Sequence, residues 1–194
     1  MTWDSHTSRL INGIKYCCRA FNRSCKFLNI DTRKLLYNAV IASRFNYCDA
    51  IWDCCSVRNK QRLQTIQNKC ARHILDRLPG TSAAPLLQEL GWINLEKKRK
   101  LHKCVLLHRL LQNRGPNPLI DMLNPYMPTS TAGTRGAGNG NLFIPRYHTN
   151  YIRKSYFMDA ALLWNTIPVD IKSTESSASF KEKMHIHLLN ATPE

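Results

Sequence analysis

Residues 36–76 read LYNAVIASRFNYCDAIWDCCSVRNKQRLQTIQNKCARHILD. The second half of this stretch decides the fold. Leu63, Ile66, Cys70 and Ile74 recur at steps of three and four, the period of one buried helix face, which Gln67 could join. Arg58, Lys60, Arg62, Lys69, Arg72 and Arg77 occupy the other sides. Ser56 is an N-cap residue type and Pro79-Gly80 is a stop, so the spacing predicts a helix from Val57 to Leu78. The first half predicts a helix capped by Asp31, burying Leu35, Leu36, Ala39 and Val40. A bend near Ser43 then leads to Phe45, Tyr47, Cys48, Ile51 and Trp52.

Helical periodicity continues on both sides. From Ser5 to Leu28, the residues Leu10, Ile14, Cys17, Cys18, Phe21 and Cys25 mark one apolar face, and Arg9, Lys15, Arg19, Arg23 and Lys26 fill much of the remainder. Ser82 caps a short helix carrying Leu86, Leu87 and Leu90, which Gly91 ends. Asn94 caps a helix running to Asn113, ended by Gly115-Pro116. Its first turns are cationic and its second half is apolar. The segment 124–141 is rich in Gly, Pro and Thr and reads as a flexible linker. Its glycines lack the Gly-Lys-Ser/Thr ending of a phosphate loop. Beyond it lie a possible short strand at Leu142-Phe143-Ile144, a stripe at Arg153, Tyr156, Phe157, Ala160, Ala161 and Trp164, a break at Pro168, and a last helix carrying Phe180, Met184 and Leu188. The expected fold is mainly α: a helical region over 1–123, the linker 124–141, and a small C-terminal helical region over 142–194.

Charge narrows the functional classes. The chain has 194 residues, with 28 Lys+Arg against 13 Asp+Glu and a formal charge of +15. A polyanion is the commonest partner for such an excess. An anionic membrane surface or a ribonucleoprotein neighbour would also answer to it. Charges interrupt every apolar run, so no membrane span is expected. Asp4, His6 and Arg9 break any apolar start, which reads against an export signal. An intracellular setting, nuclear or cytoplasmic, with reduced thiols follows as the expectation.

The stretch 36–76, together with LLQELGWINLEKKRKLHKCVLLHRLL and YFMDAALLWNTIPVDIKSTESSASFKEKM, resembles the region just after the polymerase palm in non-LTR (LINE-type) retrotransposon reverse transcriptases. The resemblance spans roughly Thr7 to Leu189. It rests on aromatic, cysteine and basic landmarks in order, with no short signature. It implies a thumb-like helical bundle that grips nucleic acid beside a palm lying elsewhere, and a parent protein that is an RNA-directed DNA polymerase. Such polymerases hold two metal ions between paired aspartates. The nearest match here, Tyr47-Cys48-Asp49-Ala50, has one carboxylate and sits in an apolar helical pattern. The expectation is a non-catalytic fragment, with no cofactor and no catalytic residues.

The candidate contacts are backbone-binding cations. Lys97, Lys98, Arg99, Lys100 and Lys103 cover about two turns, roughly 10 Å of helix. Arg58, Arg62, Lys69 and Arg72 form a second basic surface. These residues would meet an RNA or DNA duplex through its phosphates. The competing account of the first cluster is a solvated face, with Glu96 pairing to Lys100 at i,i+4. Trp52, Trp92 and Trp164 could stack bases, yet all lie on apolar stripes and read as core. Tyr126 and Tyr147 lie nearer the linker and are freer to meet a ligand. The eight cysteines are adjacent pairs or scattered; they lack paired zinc-ligand spacing and read as small apolar side chains, not a metal site. No Cys/His or paired-carboxylate constellation stands out as an active site. A second functional class is open: a decayed or domesticated element remnant that serves as a protein-interaction module and binds no nucleic acid.

Overall fold

A computed structural model of the chain describes residues 3–112, 117–127, 139–146, 149–153 and 155–190. The fold is mainly α, and the described residues contain no strand. The chain divides into two compact units, Met1–Arg99 and Lys100–Glu194. The division falls inside a helix, and most of the linker expected at 124–141 lies outside the described residues. Turn-rich composition marks where a chain is easily bent. It does not mark which side chains share a core.

Helix α1 (Asp4–Cys25) buries Thr7, Ile11, Ile14, Phe21 and Cys25. These positions step by three, four or seven, so one stripe faces the core. Leu10, Cys17 and Cys18, expected in that stripe, pack at its edge. Asn29, not Asp31, caps α2 (Ile30–Tyr37): its side chain accepts from the Thr32 N–H at 2.8 Å. A π-helical turn, Asn38–Ala42, follows, where a bend near Ser43 was expected. The wider turn rotates the next residues about the axis. Tyr37, Ile41 and Ala42 face inward while Leu35 and Val40 face out, against the expected phase. After α3 (Ser43–Asn46), Cys48 adopts positive φ and starts α4 (Asp49–Trp52). That break buries Asp49 and Trp52 and exposes Tyr47 and Ile51.

Helix α5 (Val57–Ile74) buries the expected Leu63, Ile66, Cys70 and Ile74, and Gln67 with them. Its N-terminus is held from outside. The Asp4 carboxylate accepts from the Ser56 N–H at 3.0 Å and from Asn59 Nδ2 at 3.1 Å, and these bonds hold the Asp4 carboxyl below its ordinary pKa. The Ser56 side chain makes no cap bond. The helix ends before Pro79-Gly80, because Asp76 takes φ of 53°. Asp tolerates this left-handed conformation, and it lets the Arg77 N–H reach the Arg72 carbonyl at 2.9 Å. Arg33 supplies the remaining cap, with Nη1 donating to the His73 and Ile74 carbonyls at 3.2 and 3.1 Å.

Three contacts fix the mutual direction of α1 and α5. Asp4 meets Ser56, Thr7 meets Asn59, and Cys18 meets Cys70, each pair 52 residues apart. A constant offset means the helices run parallel and in register. Tyr37 stacks on Trp92 at 4.2 Å within the same core. Helix α6 (Ala83–Glu89) adds Leu86 and Leu87 against Ala71. Gly91, at φ of 66°, ends it as expected.

Helix α7 (Leu95–Leu111) opens on the expected cap, Asn94, whose side chain accepts from the Lys97 N–H at 2.8 Å. From Lys100 onward it belongs to the second unit. There α8 (Asn117–Leu123), a 3-10 turn Asn124–Tyr126, α9 (Asn150–Arg153), α10 (Tyr156–Asn165), α11 (Val169–Lys172) and α12 (Ser177–Asn190) follow. Phe180, Met184 and Leu188 of α12 are buried as their spacing required, as are Phe157, Ala160, Ala161 and Trp164 of α10. His108 stacks on Phe180 at 4.2 Å. The expected strand at 142–144 does not form. The Asn165 side chain instead pairs with both backbone groups of Leu142, at 2.8 and 2.9 Å. One amide side chain thus does locally what a partner strand would do.

Candidate nucleic-acid interface

Two of the five cations in the 97–103 cluster are structural. Arg99 is 3% exposed. Its Nε donates to Asp53 Oδ1 at 2.6 Å, and its guanidinium lies 5.8 Å from the Trp52 ring centroid. Lys60 approaches the same carboxylate oxygen at 3.2 Å. Lys103 is 4% exposed and ion-paired with Asp159. The backbone carbonyl of Lys103 also accepts from Tyr156 Oη at 3.2 Å. A cation so enclosed cannot lie along a phosphate chain. Lys97, Lys98 and Lys100 are half-buried, and each has further interactions within the chain. With Arg99 and Lys103 enclosed, the five cations do not form one open phosphate stripe. The feature that hid this from local pattern is the distance along the chain to the acids: 46 residues for Asp53 and 56 for Asp159.

The second basic surface is arranged differently. On α5, Arg62, Thr65, Ile66, Lys69, Cys70 and His73 repeat at i, i+3, i+4, i+7, i+8 and i+11, so they share one face. On α1, Lys15, Cys18, Arg19 and Asn22 repeat at i, i+3, i+4 and i+7. The parallel register brings these two faces together around a groove of about 420 Å³. Every charged residue lining it is a cation: Lys15, Arg19, Arg62 and Lys69. Lys15, Arg19 and Lys69 are exposed, and among the described residues none of the three is in an ion pair. Arg62 is half-buried and held by Asn59, with Nη1 donating to Oδ1 at 3.1 Å.

Arg58 lies on α5 outside the groove lining and is exposed. Arg72 is turned away from it, its Nε donating to the Thr81 carbonyl at 2.8 Å. Of the nine residues first singled out, the groove thus takes Arg62 and Lys69. Lys15 and Arg19 were not singled out. Their signal was present in the spacing they share with Cys18 and Asn22. Helix pairing, however, cannot be read from one helix at a time.

The groove also has a polar, titratable floor. The Sγ atoms of Cys18 and Cys70 lie 3.6 Å apart. The Cys70 thiol bonding to Cys18, opposed by burial and aided by Lys69, holds the Cys18 thiol below its ordinary pKa. Cys70 is pushed up by that same bond and by burial. Burial, then Lys69 and Arg72, hold the His73 imidazole below its ordinary value.

The tryptophans are core residues. Trp52 and Trp164 are buried and Trp92 is half-buried on Tyr37. Tyr126 is half-buried and stacks on Phe157 at 6.1 Å; Tyr147 lies outside the described residues. Asp49 is buried and has interactions within the chain. Among the described residues no group of three or more His, Cys, Asp or Glu side chains could hold a metal ion, and no helix is long and apolar enough to cross a membrane. The chain matches no protein-family model, no curated protein and no solved structure.

Proposed function

We propose that this chain is a non-catalytic, post-palm fragment of a LINE-type RNA-directed DNA polymerase, and that it holds nucleic-acid backbone in the groove between α1 and α5. The observation that carries the reading is an open groove whose charged lining is all cationic, Lys15, Arg19, Arg62 and Lys69. Along α5 the lining runs from residue 62 to residue 73, about 16 Å of helix at the standard rise. One strand of B-form DNA places about five phosphates along that axial length. The net charge of +15 supplies long-range attraction to the same partner. The ordered landmarks shared with the reverse-transcriptase region support a place beside a palm domain, with a duplex of RNA or DNA as the ligand. Contacts of this kind position a duplex and carry no sequence information.

The experiment is binding of the full chain to an arbitrary duplex across about 50 to 200 mM salt, where counterion release has a large effect. A steep fall in affinity with salt is expected, with little difference between sequences. Salt-independent binding, or none at low salt, overturns the reading.

One observation favours the second class, an interaction module. Phe27, Leu78 and Leu35 are 88%, 79% and 72% exposed. Each offers a protein partner, such as a palm domain, apolar surface to bury and offers a polyanion none. Saturable binding of a palm domain with no duplex binding would favour that reading over the groove.

A further inference from the structure

The floor of the α1/α5 groove carries chemistry that backbone binding leaves unused. Cys18 and Cys70 face each other with their Sγ atoms 3.6 Å apart. A disulfide bond needs about 2.0 Å between sulfurs, so an approach of roughly 1.6 Å would join them. The two thiols are not equivalent. Cys18 is partly open to the groove, whereas Cys70 is fully buried behind it. Lys15, Arg19 and Lys69 stand around the opening.

We propose that Cys18 and Cys70 form a thiol–disulfide exchange site in which Cys18 is modified by small anionic disulfides and Cys70 resolves the adduct. The Cys18 thiolate attacks one sulfur of the incoming disulfide. A sulfur–sulfur bond forms to Cys18, the incoming bond breaks, and one small thiolate leaves with the electron pair. Cys70 then attacks the Cys18 sulfur, and its proton passes to the departing small thiolate. The internal disulfide forms and the second small thiolate leaves. The cysteine pair is oxidised by two electrons and the small disulfide is reduced by the same two, so the exchange balances.

The geometry assigns the order of events. Only Cys18 can be reached from the groove, and the cations there attract an anionic reagent and favour the thiolate that attacks. Cys70 donates its S–H to that thiolate, which keeps Cys70 protonated until Cys18 is capped. Capping removes the hydrogen bond and the neighbouring charge, which hold its proton together with burial, and leaves burial alone to oppose the attack. This site stands independently of nucleic-acid binding, because its product is covalent and is read without a duplex.

The test uses the reduced full chain and glutathione disulfide, with acid-quenched samples mapped by peptide mass spectrometry. A Cys18 adduct should form first and be replaced by a Cys18–Cys70 cross-link. Although Cys48 is more exposed than Cys18, Cys18 should react on the order of tenfold faster, the low end of electrostatic steering. Added salt, or the cationic disulfide cystamine in place of glutathione disulfide, should erase that preference. Cys70→Ala should stop at the Cys18 adduct, and Cys18→Ala should give neither product. Equal labelling of Cys18 and Cys48 would overturn the proposal. So would a cross-link joining any other pair in the wild-type chain, a result that holds even where Cys70→Ala fails to fold.

Discussion

Replacing Asp53 with alanine should destabilise the first unit far more than the loss of a surface carboxylate would. Asp53 accepts from Arg99 at 2.6 Å, and the Arg99 side chain is 4% exposed. With the carboxylate gone, the guanidinium keeps its charge and its burial and loses its counter-ion. At about 4 Å between charge centres and an effective dielectric near 20, the lost attraction is about 4 kcal/mol. Breaking buried pairs costs about 3–5 kcal/mol. Asp53 keeps 14% of its side-chain exposure, and Lys60, a third exposed, adds little, so about 3 kcal/mol is expected. For a unit of this size that corresponds to roughly 12–24 °C in Tm. Urea titration of the full chain, followed by helical circular dichroism, should show a lower midpoint with little change in slope. Asp53→Leu combined with Arg99→Met removes both charges and should recover most of the loss. An Asp53→Ala chain within about 0.5 kcal/mol of wild type, the range of ordinary surface changes, would refute the structural reading of Arg99 and return it to the phosphate-binding candidates.

Arg33→Met should cost about 2 kcal/mol, because it uncaps the His73 and Ile74 carbonyls and hydrogen bonds to charged donors are worth about 1.5–3 kcal/mol; Arg33→Lys should rescue little, since one ammonium lacks the guanidinium fork. Urea midpoints of both variants check this. Gly91→Ala should cost about 1 kcal/mol through backbone strain alone, as its φ is 66° and an added Cβ meets nothing within 4 Å; Gly91→Asn should cost less, and equal losses would point to packing. His73 binds its proton less readily in the folded chain than at the ordinary pKa of 6.5. Its contribution to stability is therefore full above that pH and is lost as pH falls toward the depressed folded value. His73→Gln should flatten that part of the stability–pH curve below about pH 6.5, and an unchanged curve would show that His73 takes up its proton equally in both states.

Elements whose signals are local were legible in the sequence. The α12 stripe of Phe180, Met184 and Leu188, the Asn94 cap and the Gly91 stop each depend on residues within a few positions. Signals that depend on partners far along the chain were not. Leu35 and Tyr37 show the unexpected phase within α2 itself, and the π-helical turn that follows at Asn38–Ala42 is announced by no residue type. Pro79-Gly80 is stronger local punctuation than Asp76, yet Asp76 holds the left-handed turn that ends α5. The same difficulty governed the site. Arg99 and Lys103 sit in a run of cations, and local pattern sends such a run to the surface. Asp53 and Asp159 draw them inside. Lys15 and Arg19 gain their place only because α1 lies parallel to α5 at a constant offset.

The measurement closest to the central claim is the salt dependence of duplex binding after Lys15, Arg19 and Lys69 are all changed to glutamine. Glutamine and lysine have similar helix propensity, and all three side chains are exposed, so helical content should be retained. Each lost phosphate contact lowers the log–log slope by about 0.9, giving a decrease of about 2.7 for three contacts on B-DNA. The account predicts that decrease, with affinity falling equally for unrelated sequences. An unchanged slope in a folded variant, with the loss found instead on changing Lys97, Lys98 and Lys100 to glutamine, would contradict it and move the interface to α7.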